Sequence, residues 1–536
     1  MKIQMRKIWA CCLISVVLLS CTALDRVKPA ETKVKNVIMI IGDGMGPQQV
    51  GLLLSYARQA PHSVIVNRTT ALDRLMENGR LGISLPYTAD TLVTDSGASA
   101  TQLATGKFAG AEMLGLDKDG NPQENVIEKA KRLGKSTGLV SDTRITHATP
   151  AAFASHQTHR SLENSIPEDL LATDADVMLS GGFSYWIPEQ ASDKNSVLHQ
   201  QLVQLTDNSL EIKSSRKDAK NLLNVAQQKG YTLAFNKAQL QQATGKTLGL
   251  FAHSGMANGI VETQNRGEAL HVQPTLKEMS VQALKILDSN ERGFFLMIEA
   301  GQIDWAAHHN DTGLLLHEML RFNDTLNAVL DWATNRQDTL IIVTADHETG
   351  GFGFSYSGAD IPKPHSLPGA AFADGTLFQP NFNFGSPEVL DKIYAQKLSY
   401  HDIFNQFGAL PKDQQTPLKL TELVNRYTEF KITEPQAVKI LATEANPFYR
   451  AGHISLGEKT VPKMEVNGAF FVYQKENREN LLAQAVATSQ QVVWSTGTHT
   501  STPVYVFVKS TEQTMRPFAK ILHHTQLGQL AIDALH

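Results

Sequence analysis

Val34-Lys35-Asn36-Val37-Ile38-Met39-Ile40-Ile41 runs straight into Gly42-Asp43-Gly44-Met45-Gly46. A short, nearly unbroken apolar run closed by glycines reads as a strand buried on both faces. The same reading applies to Gly138 to Ser141, Val177 to Ser180, Gly293 to Ile298, Leu340 to Thr344 and Val504 to Val508. Amphipathic helices lie between these runs. One begins at Thr275, with Glu278 three residues on, the spacing of a capping box. Another spans Leu314 to Trp332, with apolar positions at helical spacing. Strands alternating with helices predict an α/β fold. Its form is a three-layer sandwich, a central and largely parallel sheet with helices on both faces.

The stretch from Phe352 to Gln490 breaks that rhythm. Ile361 to Pro387 is rich in proline, glycine and phenylalanine. Helical patterns follow near Pro387 to Leu398, Leu418 to Phe430 and Arg478 to Ser489. The stretch reads as one inserted region packed on a main domain of residues 21–536. No repeat of solenoid period is present.

With 536 residues, 42% of them apolar, the chain can bury a large core. Its formal charge is −4, and no part is basic enough to suggest a nucleic-acid partner. Residues 1–20 differ from the rest. Lys2, Arg6 and Lys7 precede an apolar run from Ile8 to Leu19, then Ser20-Cys21. That is the pattern of an export signal, too short to favour a membrane-spanning helix. Leu18-Leu19-Ser20-Cys21 also resembles a bacterial lipobox, which predicts a lipid anchor at Cys21 and a place in the periplasm or cell envelope. All three cysteines (Cys11, Cys12, Cys21) fall in this segment. Any metal site in the body therefore uses histidine, carboxylate and hydroxyl ligands, which points to zinc, magnesium or manganese.

In open α/β sheets, sites form beyond the carboxyl ends of strands. Four predicted strands lie next to potential ligands there. Asp43 stands in the glycine turn after the first, where an ordinary turn residue is equally natural. Glu299 follows Gly293 to Ile298, and Asp346-His347 follows Leu340 to Thr344. Thr146-His147-Ala148-Thr149-Pro150 follows Gly138 to Ser141. Asp304 and His308, four apart, share one helix face, as chelation of one ion requires. His309 points about 100° round the helix and is expected not to bind that ion. Ser96 opens a helix of small residues, where a serine is either an N-cap or a group facing free backbone N–H donors. Arg160 closes a helical stretch that begins at Pro150 and carries His156 and His159. It is either solvated or a fork for two phosphate oxygens.

Together these runs resemble the alkaline phosphatase family. The matching stretches are Asn36 to Gly46, Thr94 to Gly106, His147 to Arg160, Glu299 to His308, Thr344 to Gly351, and Thr496-Gly497-Thr498-His499-Thr500, in the family's order. The resemblance implies hydrolysis of phosphate monoesters, with small phosphorylated metabolites as substrates. It implies two zinc ions and one magnesium ion per subunit. One zinc would take Asp304, His308 and His499. The second would take Asp43, Asp346 and His347 beside Ser96, the implied nucleophile and the site of a phosphoserine intermediate. Magnesium would take Asp43, Thr149 and Glu299, and Arg160 would grip the phosphate. The inserted region would form a crown-like structure near the site, in a homodimer. Two positions depart from the enterobacterial members: His147 stands where they have aspartate, and Trp305 where they have lysine. His147 is expected behind the magnesium and the phosphate rather than as a ligand. Trp305 removes a positive charge from the phosphate pocket. The competing readings are a phosphodiesterase of the same superfamily and a non-catalytic phosphate-binding surface lipoprotein. Ser96 is not in the Cys/Ser-x-Pro-x-Arg motif of a sulfatase.

Overall fold

Strand β1 (Asn36–Gly42) is buried along its whole length. Its side chains alternate between two cores. Ile38 and Ile40 enter one, while Val37, Met39 and Ile41 enter the other. Burial on both sides is why the run carries no polar alternation, and each such side chain contributes roughly 1.5–3 kcal/mol. The computed structural model describes residues 33–266, 272–369, 373–453, 456–464, 470 and 476–536. The export signal and Cys21 lie outside the described residues.

β1 sits inside a ten-stranded sheet. The other strands are β2 (Arg80–Leu85), β3 (Ser136–Arg144), β4 (Val177–Gly181), β5 (Thr232–Ala234), β6 (Thr247–Leu250), β7 (Phe294–Ala300), β8 (Thr339–Thr344) and two C-terminal strands, Val504–Lys509 and Ile521–His523. Their order is Ile521–His523, β2, Val504–Lys509, β8, β1, β7, β3, β4, β6, β5. Only Val504–Lys509 runs against its neighbours. Helix Thr312–Trp332 supplies Met319 and Phe322 to one core, and helix Ser96–Thr105 supplies Leu103 and Ala104 to the other. The α/β sandwich predicted from the strand pattern is the fold observed.

Each predicted strand is present, most of them longer than expected. β7 continues to Ala300, so Glu299 lies inside the strand rather than after it. The capping box is also present. Thr275 Oγ1 accepts from Glu278 N at 3.1 Å, and Glu278 Oε2 accepts from Thr275 N at 3.0 Å. The short strands β2, β5, β6 and Ile521–His523 carry too little apolar pattern to be read from sequence.

The inserted region carries helices at Glu388–Tyr394, Tyr400–Gly408, Pro417–Tyr427, Glu434–Leu441 and Asn477–Gln490. Ile393, Ile403, Val424, Ile440 and Leu482 are buried in the same core as Ile38 and Ile298. The region thus thickens one helical layer, within a single compact unit of Val34–His536. Among the described residues, no helix is long and apolar enough to cross a membrane.

Candidate active site

Strands β8, β1, β7 and β3 are consecutive in the sheet and parallel. Their carboxyl ends therefore open onto one place, and the polar residues there converge. Asp43 follows β1 and is fully buried. Its Oδ2 accepts from Thr149 Oγ1 at 3.2 Å. Gly44 adopts φ 70°, and a side chain on it would press within 2.9 Å of the Asp304 Cα, so glycine is needed here. Asp346 Oδ1 accepts from Gly44 N (3.1 Å) and His347 N (2.9 Å).

His347 Nε2 has three oxygens about it. Ser96 Oγ is at 3.1 Å, Asp346 Oδ2 at 3.2 Å and Asp43 Oδ1 at 3.4 Å. One ring nitrogen carries at most one proton, so it cannot satisfy all three. Asp43 Oδ1 and Asp346 Oδ2 are both buried without a hydrogen-bond partner. Donor atoms crowding a point without hydrogens between them form a ready coordination shell.

A second group adjoins the first. His308 Nδ1 faces Gly497 O at 2.7 Å, and His499 Nδ1 faces Thr94 O at 2.9 Å. These carbonyls assign the proton to Nδ1 in each neutral ring and leave the lone pair on Nε2. The two Nε2 atoms are 3.2 Å apart. Opposed lone pairs at that separation repel unless a proton or a metal ion stands between them. Asp304 completes the group, 3.3 Å from His308 Nε2 and 3.7 Å from His499 Nε2. The His499 ring stacks on that of His347, with centroids 3.6 Å apart.

A third group lies beside Asp43. Glu299 Oε2 accepts from Ser141 and Thr143, while Oε1 has no partner. His147 Nδ1, also buried and unpartnered, stands 3.7 Å from Glu299 Oε1. Asp43, His147 and Glu299 each bring a ligand-type atom within 4.8 Å of the others. His147 is therefore nearer this group than a place behind it, as expected from sequence, would put it.

The electrostatics agree with the geometry. Burial, then the charges of Asp346, Asp304 and Glu299, push the Asp43 carboxyl well above its usual range. Burial also pushes Asp304 up, but His308, with help from His499 and His347, holds it well below. Burial lowers His308, yet Asp304 outweighs it and raises the ring to about 9. Four carboxylates packed this closely need positive charge, and the histidines and Arg160 supply only part of it.

Ser96 is the first residue of helix Ser96–Thr105, but it is not the cap. Asp95 caps the helix, with Oδ1 accepting from Gly97 N (2.7 Å) and Ala98 N (3.1 Å). The Ser96 hydroxyl is thereby left for the site. Asp95 Oδ1 also lies 3.8 Å from Arg160 Nη1, and Arg160 Nη2 lies 3.3 Å from His147 Nε2. Arg160 does not close a helix, as its sequence context suggests. The helix is only Ala148–Ala152. Beyond it, Gln157 pairs with Leu114 and the Arg160 N–H donates to Glu112 O at 2.8 Å. That pairing draws the chain out of the helix and turns Arg160 towards His147. Trp305 meets the His147 ring edge-on, centroids 5.8 Å apart.

The alkaline phosphatase family profile matches residues 34–530. This chain belongs to the alkaline phosphatase family. The family hydrolyses phosphate monoesters and depends on metal ions. Alkaline phosphatase 4 of Bacillus subtilis is 33% identical over 428 residues, 78% of this chain and 81% of that protein. The repressible alkaline phosphatase of Saccharomyces cerevisiae is 33% identical over 60% of this chain and 56% of its own. Among solved structures, the cold-active alkaline phosphatase of a Shewanella species is 25% identical, with a TM-score of 0.66 over 94% of this chain and all of that one. The Thermus thermophilus alkaline phosphatase shares the fold, with a TM-score of 0.72 at 24% identity over 93% of this chain and 90% of that one.

Two further residues of this alkaline phosphatase family member position the site, and only the first, an aspartate before a helix start, carries a signal in sequence. One is Asp95. The other is His524, buried, whose Nε2 meets Asp346 O at 2.8 Å while Nδ1 meets Ser84 Oγ at 2.5 Å. Nothing local marks His524, because its partners are 178 and 440 residues away.

Proposed function

We propose that this chain hydrolyses phosphate monoesters through a phosphoserine on Ser96. The observation that carries the reading is the Ser96 hydroxyl, free of capping duty and aimed at the His347, Asp346 and Asp43 cage. The buried, unpartnered oxygens of Asp43, Asp346 and Glu299 fit bound cations. Asp304, His308 and His499 would hold one zinc. Asp43, Asp346 and His347 would hold the other. Asp43, Thr149 and Glu299 would hold magnesium, with His147 Nδ1 beside them. When bound, such ions lower the pKa of a hydroxyl or water and neutralise charge on phosphoryl and leaving oxygens.

The chain's own part follows from its geometry. Ser96 Oγ forms a bond to phosphorus as the bond to the alcohol oxygen breaks on the opposite side. Water then attacks the phosphoserine, releases inorganic phosphate and returns the hydroxyl to Ser96. Arg160, held by Asp95 and facing His147, presents its fork to two phosphate oxygens. The test compares p-nitrophenyl phosphate with its bis-ester at alkaline pH. The monoester is expected to react faster by two orders of magnitude or more. Equal rates would favour the diesterase reading.

Trp305 sets how firmly product is held. It presents a neutral edge to His147 where a lysine would add positive charge to the phosphate pocket. Trp305→Lys is expected to lower the phosphate inhibition constant about tenfold, an effect of about 1.4 kcal/mol. An unchanged constant would remove this role. The leader from Lys2 to Cys21 supports export with a lipid anchor at Cys21, to be checked by release of Cys21→Ser protein from membranes. The inserted region supports a homodimer, to be checked by light scattering.

A further inference from the structure

Among the described residues, one metal-ligand cluster lies outside this centre. His309 caps the carboxyl end of helix Gln302–His308, directly after the ligand-type His308 but turned from it. Its ring lies flat against that of His401, with centroids 5.2 Å apart and planes 4° from parallel. His401 belongs to helix Tyr400–Gly408 of the inserted region. Its Nδ1 is 3.3 Å from Glu479 Oε1, on helix Asn477–Gln490. One ligand atom from each of the three residues lies within 4.8 Å of the others.

The plain alternative is a surface ion pair between His401 and Glu479 with a stacked histidine beside it. One observation argues against it. His309 Nδ1 is buried without a hydrogen-bond partner. An ion pair between His401 and Glu479 would leave that nitrogen unsatisfied. A cation among these three side chains would answer His309 and offset the charge of Glu479.

We propose that His309, His401 and Glu479 form a separate site for zinc or a similar first-row divalent ion. Two imidazoles and one carboxylate are a zinc-type donor set, whereas magnesium and calcium prefer oxygen alone. The His401 side chain is 53% exposed, which gives the ion a route in and leaves that ring free to turn onto it. The site joins two helices of the inserted region to the residue after His308. Its ion is a brace between the insertion and the catalytic layer and takes no part in the reaction.

The test counts zinc per chain by mass spectrometry, after dialysis of the full-length enzyme against zinc and magnesium and then desalting. His401→Ala is expected to hold one zinc fewer than the wild type, with p-nitrophenyl phosphate turnover within twofold of it. Glu479→Gln is expected to show the same loss. In a zinc titration of enzyme with its catalytic sites already filled, Tm is expected to rise for the wild type but not for His401→Ala. Equal zinc content in wild type and His401→Ala overturns the site. That result leaves the Ser96 reading intact, because neither His401 nor Glu479 belongs to the catalytic centre.

Discussion

Ser96→Ala is expected to lose turnover by at least about a thousandfold, the scale of removing a nucleophile. The fold is expected to be almost unaffected. Asp95 makes the cap, so alanine at Ser96 removes no acceptor from the helix N-terminus. A change within about 1 kcal/mol is expected for such a substitution. Asp95→Ala is the instructive contrast. It strips the acceptor from Gly97 and Ala98 and the carboxylate from beside Arg160, so stability falls by about 1–2 kcal/mol and catalysis falls with it. The measurement is kcat on p-nitrophenyl phosphate beside Tm for all three proteins. Acid-quenched enzyme should carry phosphoserine in the wild type and none in Ser96→Ala. A Ser96→Ala enzyme within tenfold of wild-type kcat would rule out the nucleophile.

Chelation is expected to abolish activity and to lower stability together. Asp43, Asp304, Asp346 and Glu299 are all buried at one place, and three of them keep an oxygen without any hydrogen-bond partner. A site filled at a thousand times its Kd contributes about 4 kcal/mol to the folded state, so emptying several should lower Tm by many degrees. Adding zinc and magnesium should restore both properties. Acid should mimic the chelator. Protons compete for the imidazole of His308, which, against the effect of burial, Asp304 raises to about 9, and for that of His347, which Asp346 also raises. The metal-linked stability is therefore fullest at alkaline pH and is lost progressively as pH falls from about 9. Calorimetry with and without chelator at pH 8 checks the claim, and an unchanged Tm would contradict it.

Much of this centre was legible because its residues obey local rules. The apolar runs before Asp43 and Asp346 are strands buried on two faces, and only such strands lack polar alternation. The four-residue spacing of Asp304 and His308 is a helix face, and the helix is there. What stayed open was whatever a distant partner decides. Locally Ser96 is equally a cap or a nucleophile, and only the fold shows that Asp95 makes the cap, bonding Gly97 and Ala98. The Arg160 stretch read as helix because its residues permit one, but pairing of Gln157 with Leu114 prevails. His147, expected behind the magnesium, has an unpartnered Nδ1 3.7 Å from Glu299 Oε1, a closeness no local pattern gives.

The sequence by itself determined the buried strands and the ligand-type side chains at their carboxyl ends, Asp43, Glu299, Asp346 and His347. Hydrophobic periodicity and the ligand types are local properties, so they survive in one dimension. The tertiary structure alone decided that β8, β1, β7 and β3 are neighbours, although they are far apart in the chain. That adjacency brings Asp346, Asp43 and Glu299 to one point and leaves the Ser96 hydroxyl facing them. The same packing sets His309 against His401, a contact across 92 residues that no local pattern encodes.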